Sequence, residues 1–142
     1  MLQYYGADPE FSLEGKTAVI TGGAAGIGYE TAKFFAKKGV NLVLADLNPG
    51  VDEIAKELDP KAVGIAGDVT NGAYRQSVVD LGVKQFGQID ILVNCAGIVA
   101  LEKAELISES DWDRTMNINL KSSFMMAQLL GKYFIDNHVN GS

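Results

Sequence analysis

The stretch TAVITGGAAGIG, residues 17–28, decides the fold. Its first five residues are β-branched or small, as in a buried strand, and a cluster of glycines follows. Residues 29–38 (YETAKFFAKK) then have the composition of a helix. A strand, a glycine-rich turn and a helix N-terminus bring free backbone N–H groups and the positive end of the helix dipole to one point. The stretch therefore predicts a cradle for the pyrophosphate of a nucleotide.

Apolar runs and helical periodicity alternate along the rest of the chain. Strands are predicted at 17–21, 41–46, 62–66 and 89–94, and helices at 27–38, 51–58, 73–86 and from about 112 to 136. The strands are apolar throughout rather than alternating, which is typical of parallel strands buried on both faces. The order of elements predicts an α/β fold, the N-terminal part of a Rossmann-type doubly wound parallel sheet with about four strands and helices on both faces.

The domain organisation predicted is a leader at residues 1–14 and a dinucleotide-binding domain at 15–142. The leader either drapes over the sheet or mediates a subunit contact, and the sequence does not decide between them. Four strands make about half of a doubly wound sheet, so we expect the fourth strand at an open edge and the following helix without a partner layer. Open edges invite pairing with another chain. The sequence resembles the front part of something longer.

Composition excludes several classes of partner. The net charge of −6 argues against nucleic acid or an anionic membrane as the main partner. No apolar run approaches the roughly 20 residues that cross a bilayer, and residues 1–10 lack the basic and apolar regions of a signal peptide. One cysteine, Cys95, rules out an intrachain disulfide and suits a reducing compartment, so we expect a cytoplasmic protein. No metal site is predicted.

An acidic residue, Asp46, ends the second predicted strand 18 residues after Gly28. This is the expected distance for a carboxylate that binds the adenosine ribose. A 2′-phosphate would be repelled by Asp46, and Ala25 offers no basic side chain in compensation, so NAD is preferred over NADP. The alternative is a solvated acid at a strand end. The residues of the turn predicted to bind the cofactor are Gly22, Ala24, Ala25, Gly26, Ile27 and Gly28.

The third and fourth strands end in further candidates. Asp68 can accept a hydrogen bond from an adenine amino group while Val69 flanks the ring, although capping of the next helix by Asp68 or Thr70 is a rival interpretation. After the fourth strand, the small residues Ala96 and Gly97 let a flat ring approach the backbone. The amide of Asn94 is expected to tie neighbouring strand ends together. Cys95 is expected to be a buried filler rather than a nucleophile.

Two asparagines lie in the last predicted helix. Asn117 and Asn119 are two residues apart and therefore point to different faces, so at most one can face a site at the end of the sheet. Asparagine is unfavourable inside a helix. Its presence indicates a specific role, either holding a water molecule or opening the helix locally.

Together these residues resemble the short-chain dehydrogenase/reductase family, from about residue 12 to the end. Residues 21–28 fit its cofactor motif TGxxxGIG, and residues 94–97 fit its NNAG motif with Cys95 in place of the second Asn. Asp46 and Asp68 match its ribose- and adenine-binding acids. Asn119 matches the helix Asn of its Asn-Ser-Tyr-Lys tetrad and is the catalytic residue that the resemblance implies.

The resemblance implies hydride transfer between NAD and a small-molecule alcohol or carbonyl. It also implies a dimer or tetramer that pairs through the long helix and the helix after it. In this family a Tyr acts as acid and base with its pKa lowered by a Lys, a Ser orients the substrate, and the Asn maintains a proton path through water. The Ser and the Tyr-x-x-x-Lys segment belong after the next strand, and residues 139–142 resemble its lead-in. Only Tyr29 and Lys33 have the Tyr-x-x-x-Lys spacing, in the wrong helix.

Two functions follow as hypotheses. The first is an NAD-dependent oxidoreductase represented by its cofactor-binding half, acting on a polyol or other secondary alcohol and inactive as 142 residues alone. The second is a non-catalytic dinucleotide-binding or assembly module. A methyltransferase built on the same half-sheet fits the Asn-containing helix poorly.

Overall fold

The computed structural model describes residues 12–142 of the chain. It contains one parallel sheet in the order β3-β2-β1-β4. The strands are β1 (Thr17–Thr21), β2 (Asn41–Asp46), β3 (Val63–Ala66) and β4 (Ile91–Asn94). The first two have the predicted bounds, whereas β3 and β4 begin one and two residues later than predicted. Most of the predicted leader lies outside the described residues, but Leu13 packs against the core.

Helices connect the strands and follow the last one. They are α1 (Gly26–Ala36), α2 (Val51–Leu58), α3 (Gly72–Phe86), α4 (Glu109–Met116) and α5 (Ser122–Asp136). A short 3₁₀ turn, Ala104–Leu106, precedes α4. Between α4 and α5 the chain runs on through a π-helical segment, Asn117–Lys121, so the predicted last helix exists but is interrupted.

Alternate residues of the buried strands face two separate cores. Ile20 and its β2 neighbour Leu44 pack under α1 and α2. Val19 and Val43 face the opposite way and pack under α3 and α5. All four side chains are fully buried. The two covered faces confirm the doubly wound α/β fold.

β4 lies at an edge of the sheet, as predicted, but the helix that follows it differs from the expectation. The helix after β4 was expected to lack a partner layer, and this is wrong, because Met126 and Leu130 of α5 are fully buried in the core that α3 also covers. The crossover from β3 to β4 carries α3 over this face beside α5. At the edge of β4, Ser142 donates to the carbonyl of Asp90 (2.9 Å) and accepts from Leu92 N–H (2.8 Å). These two bonds follow the hydrogen-bond pattern of parallel strands.

Candidate nucleotide-binding site

A crevice opens at the carboxyl ends of the strands, where the strand order reverses between β1 and β4. Open α/β sheets bind their ligands at such a point. Six of the predicted site residues line this crevice: Gly22, Asp46, Asp68, Val69, Ala96 and Gly97. The remaining predicted residues of the glycine turn lie beside it, at the start of α1.

The N-terminus of α1 is left open to bind an anion. Its N-cap residue is Ala25, which makes no side-chain capping hydrogen bond, and its first turn contains no acidic residue. By contrast, Asn71 caps α3 and Ser108 caps α4, and α4 has Glu109 and Asp111 in its first turn. The N–H groups and the positive end of the α1 dipole therefore remain available to bind a phosphate. The residues at this helix end are suited to the pyrophosphate of a dinucleotide.

Two glycines fix the shape of the turn. Gly26 has a φ of +53°, a backbone conformation that residues other than glycine rarely adopt. A Cβ atom at Gly28 would lie 2.1 Å from the carbonyl oxygen of Gly22. Since no such contact is tolerated, Gly28 lets α1 pack directly against the end of β1.

The carboxylate of Asp46 is held by the backbone at both oxygens. Oδ2 accepts from the N–H of Ala24 and Oδ1 from the N–H of Asn48, each at 3.0 Å. The first of these bonds joins the end of β2 to the glycine turn. Asp46 is half-buried and lines the crevice, so its charge is presented at a fixed place.

Asp68 does not cap the helix that follows it, and neither does Thr70. The N-cap of α3 is Asn71, whose Oδ1 accepts from the N–H groups of Ala73 and Tyr74. Asp68 instead accepts through Oδ1 from both the N–H and the hydroxyl of Thr70, each at 2.8 Å. The rival interpretation is therefore wrong, because Asn71 stands immediately before the helix. Within residues 12–142, Oδ2 of Asp68 has no hydrogen-bond partner.

The loop after β4 is tied to β1 by one buried hydroxyl. Oγ1 of Thr21 accepts from the N–H groups of Cys95 and Ala96, each at 3.2 Å. Asn94 was expected to tie neighbouring strand ends together, and this is wrong, because its amide donates to the carbonyl of Ser123 in α5 (3.3 Å). Burial raises the pKa of the Cys95 thiol, so Cys95 is disfavoured as a thiolate nucleophile, in line with the sequence prediction.

Asn119 lies in the π-helical segment and binds the loop after β4. Its Oδ1 accepts from the N–H of Ile98 (2.8 Å), and its Nδ2 donates to the carbonyl of the same residue (2.7 Å). The helix is thus opened locally at the asparagines, and both polar atoms of the Asn119 side chain are used by Ile98. Asn117 lies on the other side of the helix, beside Leu120 and Phe124.

Sequence reasoning missed part of the crevice wall. The residues missed are Ala45, Leu47, Gly67, Tyr74, Ile98, Arg114 and Ile118. Tyr74 lies in the first turn of α3, which starts at the carboxyl end of the sheet, so its place in the helix is a signal that could have identified it. Arg114 and Ile118 depend on how the last helix crosses the crevice, for which the sequence holds no local signal.

Other kinds of site find no support in the described part of the chain. None of the helices within residues 12–142 has the length and apolar character to cross a bilayer. The same residues contain no cluster of three or more His, Cys, Asp or Glu side chains that could hold a metal ion. Tyr29 and Lys33 lie on α1, with the Lys33 Nζ 6.0 Å from the centre of the Tyr29 ring and 3.6 Å from the Glu30 carboxylate.

Comparison with known proteins agrees with this geometry. The model of the short chain dehydrogenase family matches residues 16–142. The chain belongs to this family. Membership of the short-chain dehydrogenases leaves no ground for the methyltransferase alternative, and it agrees with the resemblance that the motifs indicated.

Relatives within the short-chain dehydrogenase family include enzymes named for polyols. An NAD-dependent glycerol dehydrogenase of Listeria innocua is 40% identical over 135 residues, which are 94% of this chain and 53% of the relative. A D-threitol dehydrogenase of Mycolicibacterium smegmatis is 42% identical over 138 residues, again 94% and 53% of the two chains. The chain therefore spans about half the length of the curated relatives it matches.

Solved structures of short-chain dehydrogenases share the fold. One from Bacillus anthracis superposes with a TM-score of 0.86 at 30% identity, over 92% of this chain and 54% of the other. A 3-ketoacyl-(acyl-carrier-protein) reductase from Brucella melitensis, complexed with NADH, gives a TM-score of 0.82 at 34% identity, over 89% and 53%.

Proposed function

We propose that the protein binds NAD in the crevice between β1 and β4 and serves as the cofactor-binding part of an oxidoreductase. The observation that carries this proposal is the uncapped N-terminus of α1, which opens beside a carboxylate held by the glycine turn. The amides there are suited to a pyrophosphate, and Asp46 is suited to the hydroxyl groups of a ribose. Bound NAD supplies the carbon that accepts or releases a hydride.

In this proposal each part of the crevice binds a different part of NAD. The glycine turn and the first turn of α1 bind the pyrophosphate. Asp68 and Val69 flank the adenine, with the free Oδ2 of Asp68 available to its amino group. At the end of β4 the small residues Ala96 and Gly97, with Asn94 beside them, leave room for the nicotinamide ring.

We also propose a preference for NAD over NADP. A 2′-phosphate would stand near Asp46, whose oxygens are fixed by backbone N–H groups and cannot turn away without breaking those bonds. Two charges 4 Å apart repel by about 4 kcal/mol at an effective dielectric of 20, before salt screens them. Even a quarter of this repulsion favours NAD several-fold.

We assign Asn119 a positioning contribution to the reaction. Both polar atoms of its side chain bind the backbone of Ile98, so it fixes the loop that starts with Gly97 at the nicotinamide end of the crevice. Its part in the proton path is carried over from the family. Tyr29 and Lys33 do not replace the family's Tyr and Lys, because they lie on α1 and Lys33 pairs with Glu30.

The substrate we propose is a small polyol or another secondary alcohol, or the corresponding carbonyl compound. The relatives named as glycerol and D-threitol dehydrogenases support this class. We also propose a cytoplasmic location, supported by the single cysteine, which suits a reducing compartment.

The proposed function is tested by calorimetric titration of the purified protein with NADH and NADPH, followed by assay with NAD and glycerol or threitol. We expect NADH to bind more tightly than NADPH and the 142 residues to show no turnover. Absence of NADH binding would contradict the cofactor site. Turnover by the 142 residues would contradict only the requirement for the missing Ser, Tyr and Lys. NADH binding with no turnover in any longer form would favour the non-catalytic module.

A further inference from the structure

A buried arginine binds the loop that carries the proposed adenine-binding residues Asp68 and Val69. Arg75 is on α3 and only 9% exposed. The other buried residues of this helix are Val78, Val79 and Gly82, which follow at the spacing of one helix face. Arg75 therefore occupies a position where an apolar side chain would pack at no electrostatic cost, whereas burial of a charge is expensive unless its N–H groups are satisfied. Within residues 12–142 no salt bridge involves it.

The guanidinium of Arg75 makes its hydrogen bonds to the loop between β3 and α3, residues 67–71, through one nitrogen. Its Nη1 donates to the carbonyl of Val69 (2.8 Å) and to that of Thr70 (2.9 Å). Thr70 in turn donates its N–H and its hydroxyl to the carboxylate of Asp68. A chain of hydrogen bonds thus runs from the buried cation through Thr70 to the acid that faces the crevice.

The residue before Arg75, Tyr74, holds the end of β3 and the first residue of the loop, Gly67. The hydroxyl of Tyr74 donates to the carbonyl of Ile65 (2.7 Å), and its ring lies so close to Gly67 that a Cβ atom there would be 2.3 Å from the ring. With one end fixed by Tyr74 and the middle fixed by Arg75, the loop has little freedom to move Asp68.

We infer that Arg75 is a positioning residue for recognition of the adenine base: it fixes the carbonyls of Val69 and Thr70 and thereby aims the carboxylate of Asp68. This inference rests on the proposed function, because it needs adenine to bind at Asp68. A carboxylate that accepts a hydrogen bond from the 6-amino group of adenine discriminates against hypoxanthine, which has an oxygen at that position. The selectivity for adenine over hypoxanthine therefore reports how well Asp68 is aimed.

The experiment measures the dissociation constants of reduced NAD and of its hypoxanthine analogue, by titration of the wild-type protein and of Arg75→Met. We expect the wild type to prefer NADH. In Arg75→Met we expect NADH to bind about tenfold more weakly, which corresponds to ~1.4 kcal/mol, while the analogue loses much less, so that the selectivity collapses. Gln76→Met introduces the same side chain one residue further on, at an exposed position, and should change neither value.

Arg75→Lys provides a second variant that keeps the charge and most of the buried stem. Its ammonium reaches less far, so we expect a selectivity for NADH between those of the wild type and Arg75→Met. If Arg75→Met does not fold, the selectivity of Arg75→Lys tests the inference. Equal loss of both dinucleotides in the variants, an unchanged selectivity, or no preference in the wild type would overturn the inference while leaving NAD binding intact. A wild type that binds neither dinucleotide would overturn the proposed function itself, and this inference with it.

Discussion

Asp46 presents a carboxylate whose two oxygens are held by the N–H groups of Ala24 and Asn48. We expect Asp46→Asn to lose discrimination between the cofactors, because the amide repels a 2′-phosphate far less than the carboxylate does. With ~1 kcal/mol of repulsion left after screening, the ratio of the dissociation constants of NADPH and NADH should fall by about fivefold or more. Titration of both dinucleotides with both proteins measures this ratio.

The matched control for this change is Asp80→Asn, which removes the same charge from an exposed position on α3. It should leave the ratio as it is in the wild type. Added salt should narrow the wild-type discrimination and hardly affect that of Asp46→Asn, because screening acts on the repulsion. An equal fall in both variants would assign the effect to net charge and not to the position of Asp46.

Tyr74 makes stability depend on pH. Burial raises its pKa to about 12, with the carboxylates of Asp46 and Asp68 acting in the same direction, whereas a tyrosine in the unfolded chain titrates near 10. Because the folded-state pKa is higher, the contribution of the protonated phenol is complete below about pH 10 and is lost as the pH rises to about 12. We expect a fall on the order of 1 kcal/mol in the free energy of unfolding, since the ring is half-exposed.

The measurement is urea unfolding of the wild type and of Tyr74→Phe at pH 8, 10 and 11. Other groups titrate in this range, so the difference between the two proteins is the quantity of interest. The stability of the wild type should approach that of the variant, or drop below it, as the pH rises. A difference that stays constant from pH 8 to 11 would show that the Tyr74 phenol is not involved.

At the scale of elements, the contact between α1 and β1 depends on Gly28. Its Cβ would lie 2.1 Å from the Gly22 carbonyl oxygen, so Gly28→Ala forces the helix and strand apart. We expect a loss of about 1–3 kcal/mol in the free energy of unfolding and weaker NADH binding, because the turn itself must move. Gly131→Ala is the opposite case: it lies within α5, with no atom within 4 Å of its added Cβ.

Gly131→Ala should leave NADH binding unchanged and stabilise the protein by up to about 1 kcal/mol, because alanine is the better helix former. Urea unfolding and NADH titration of both variants test the pair. If the two substitutions had the same effect on stability, close packing of α1 against β1 would not be the reason for glycine at position 28.

How far the sequence predicts these elements depends on whether the signal is local. The bounds of β1 and β2 follow from their apolar runs, because these are the two central strands and each is paired on both sides over most of its length. The predicted strand 89–94 also starts with an apolar residue, Ile89, which is buried in the core. Its pairing with β1 begins only at Ile91, so β4 is shorter than predicted. The asparagines indicated a local opening of the last helix, and the π-helical segment is that opening. The sequence did not show that Asn119 would bind the distant Ile98 there.

The residues of the candidate site also differ in whether a local sequence signal predicts them. The glycine turn and Asp46 belong to one continuous motif and could be predicted. The Asn71 cap of α3 was missed, although Asn is a favoured N-cap and stands just before the predicted helix. Arg75 as a buried polar residue could not be predicted, because the sequence alone does not show that Arg75 reaches back to Val69 and Thr70. A buried position at helical spacing predicts an apolar residue, and the exception becomes meaningful only once its partners are known.

At the scale of the whole molecule, large apolar side chains are exposed on the side of the sheet that α5 covers. Leu120 and Phe124 are 60% and 61% exposed, and Trp112 on α4 is 58% exposed. Met116 lies beside Leu120 and Phe124. We propose that a second copy of the chain covers this surface, as the family's pairing through its long helix implies. Burial of such side chains drives association by about 25 cal/mol per Å².

We therefore expect the protein to be a dimer or tetramer by light scattering coupled to size exclusion. Phe124→Glu should shift it to the monomer, since a charge would be buried at the centre of the contact. Phe34→Glu is the matched control, because Phe34 is a similarly exposed aromatic residue (56%) on α1, which covers the other face of the sheet. Dissociation by both variants would argue for a different interface, and a monomeric wild type would show that the surface is not used by a second copy.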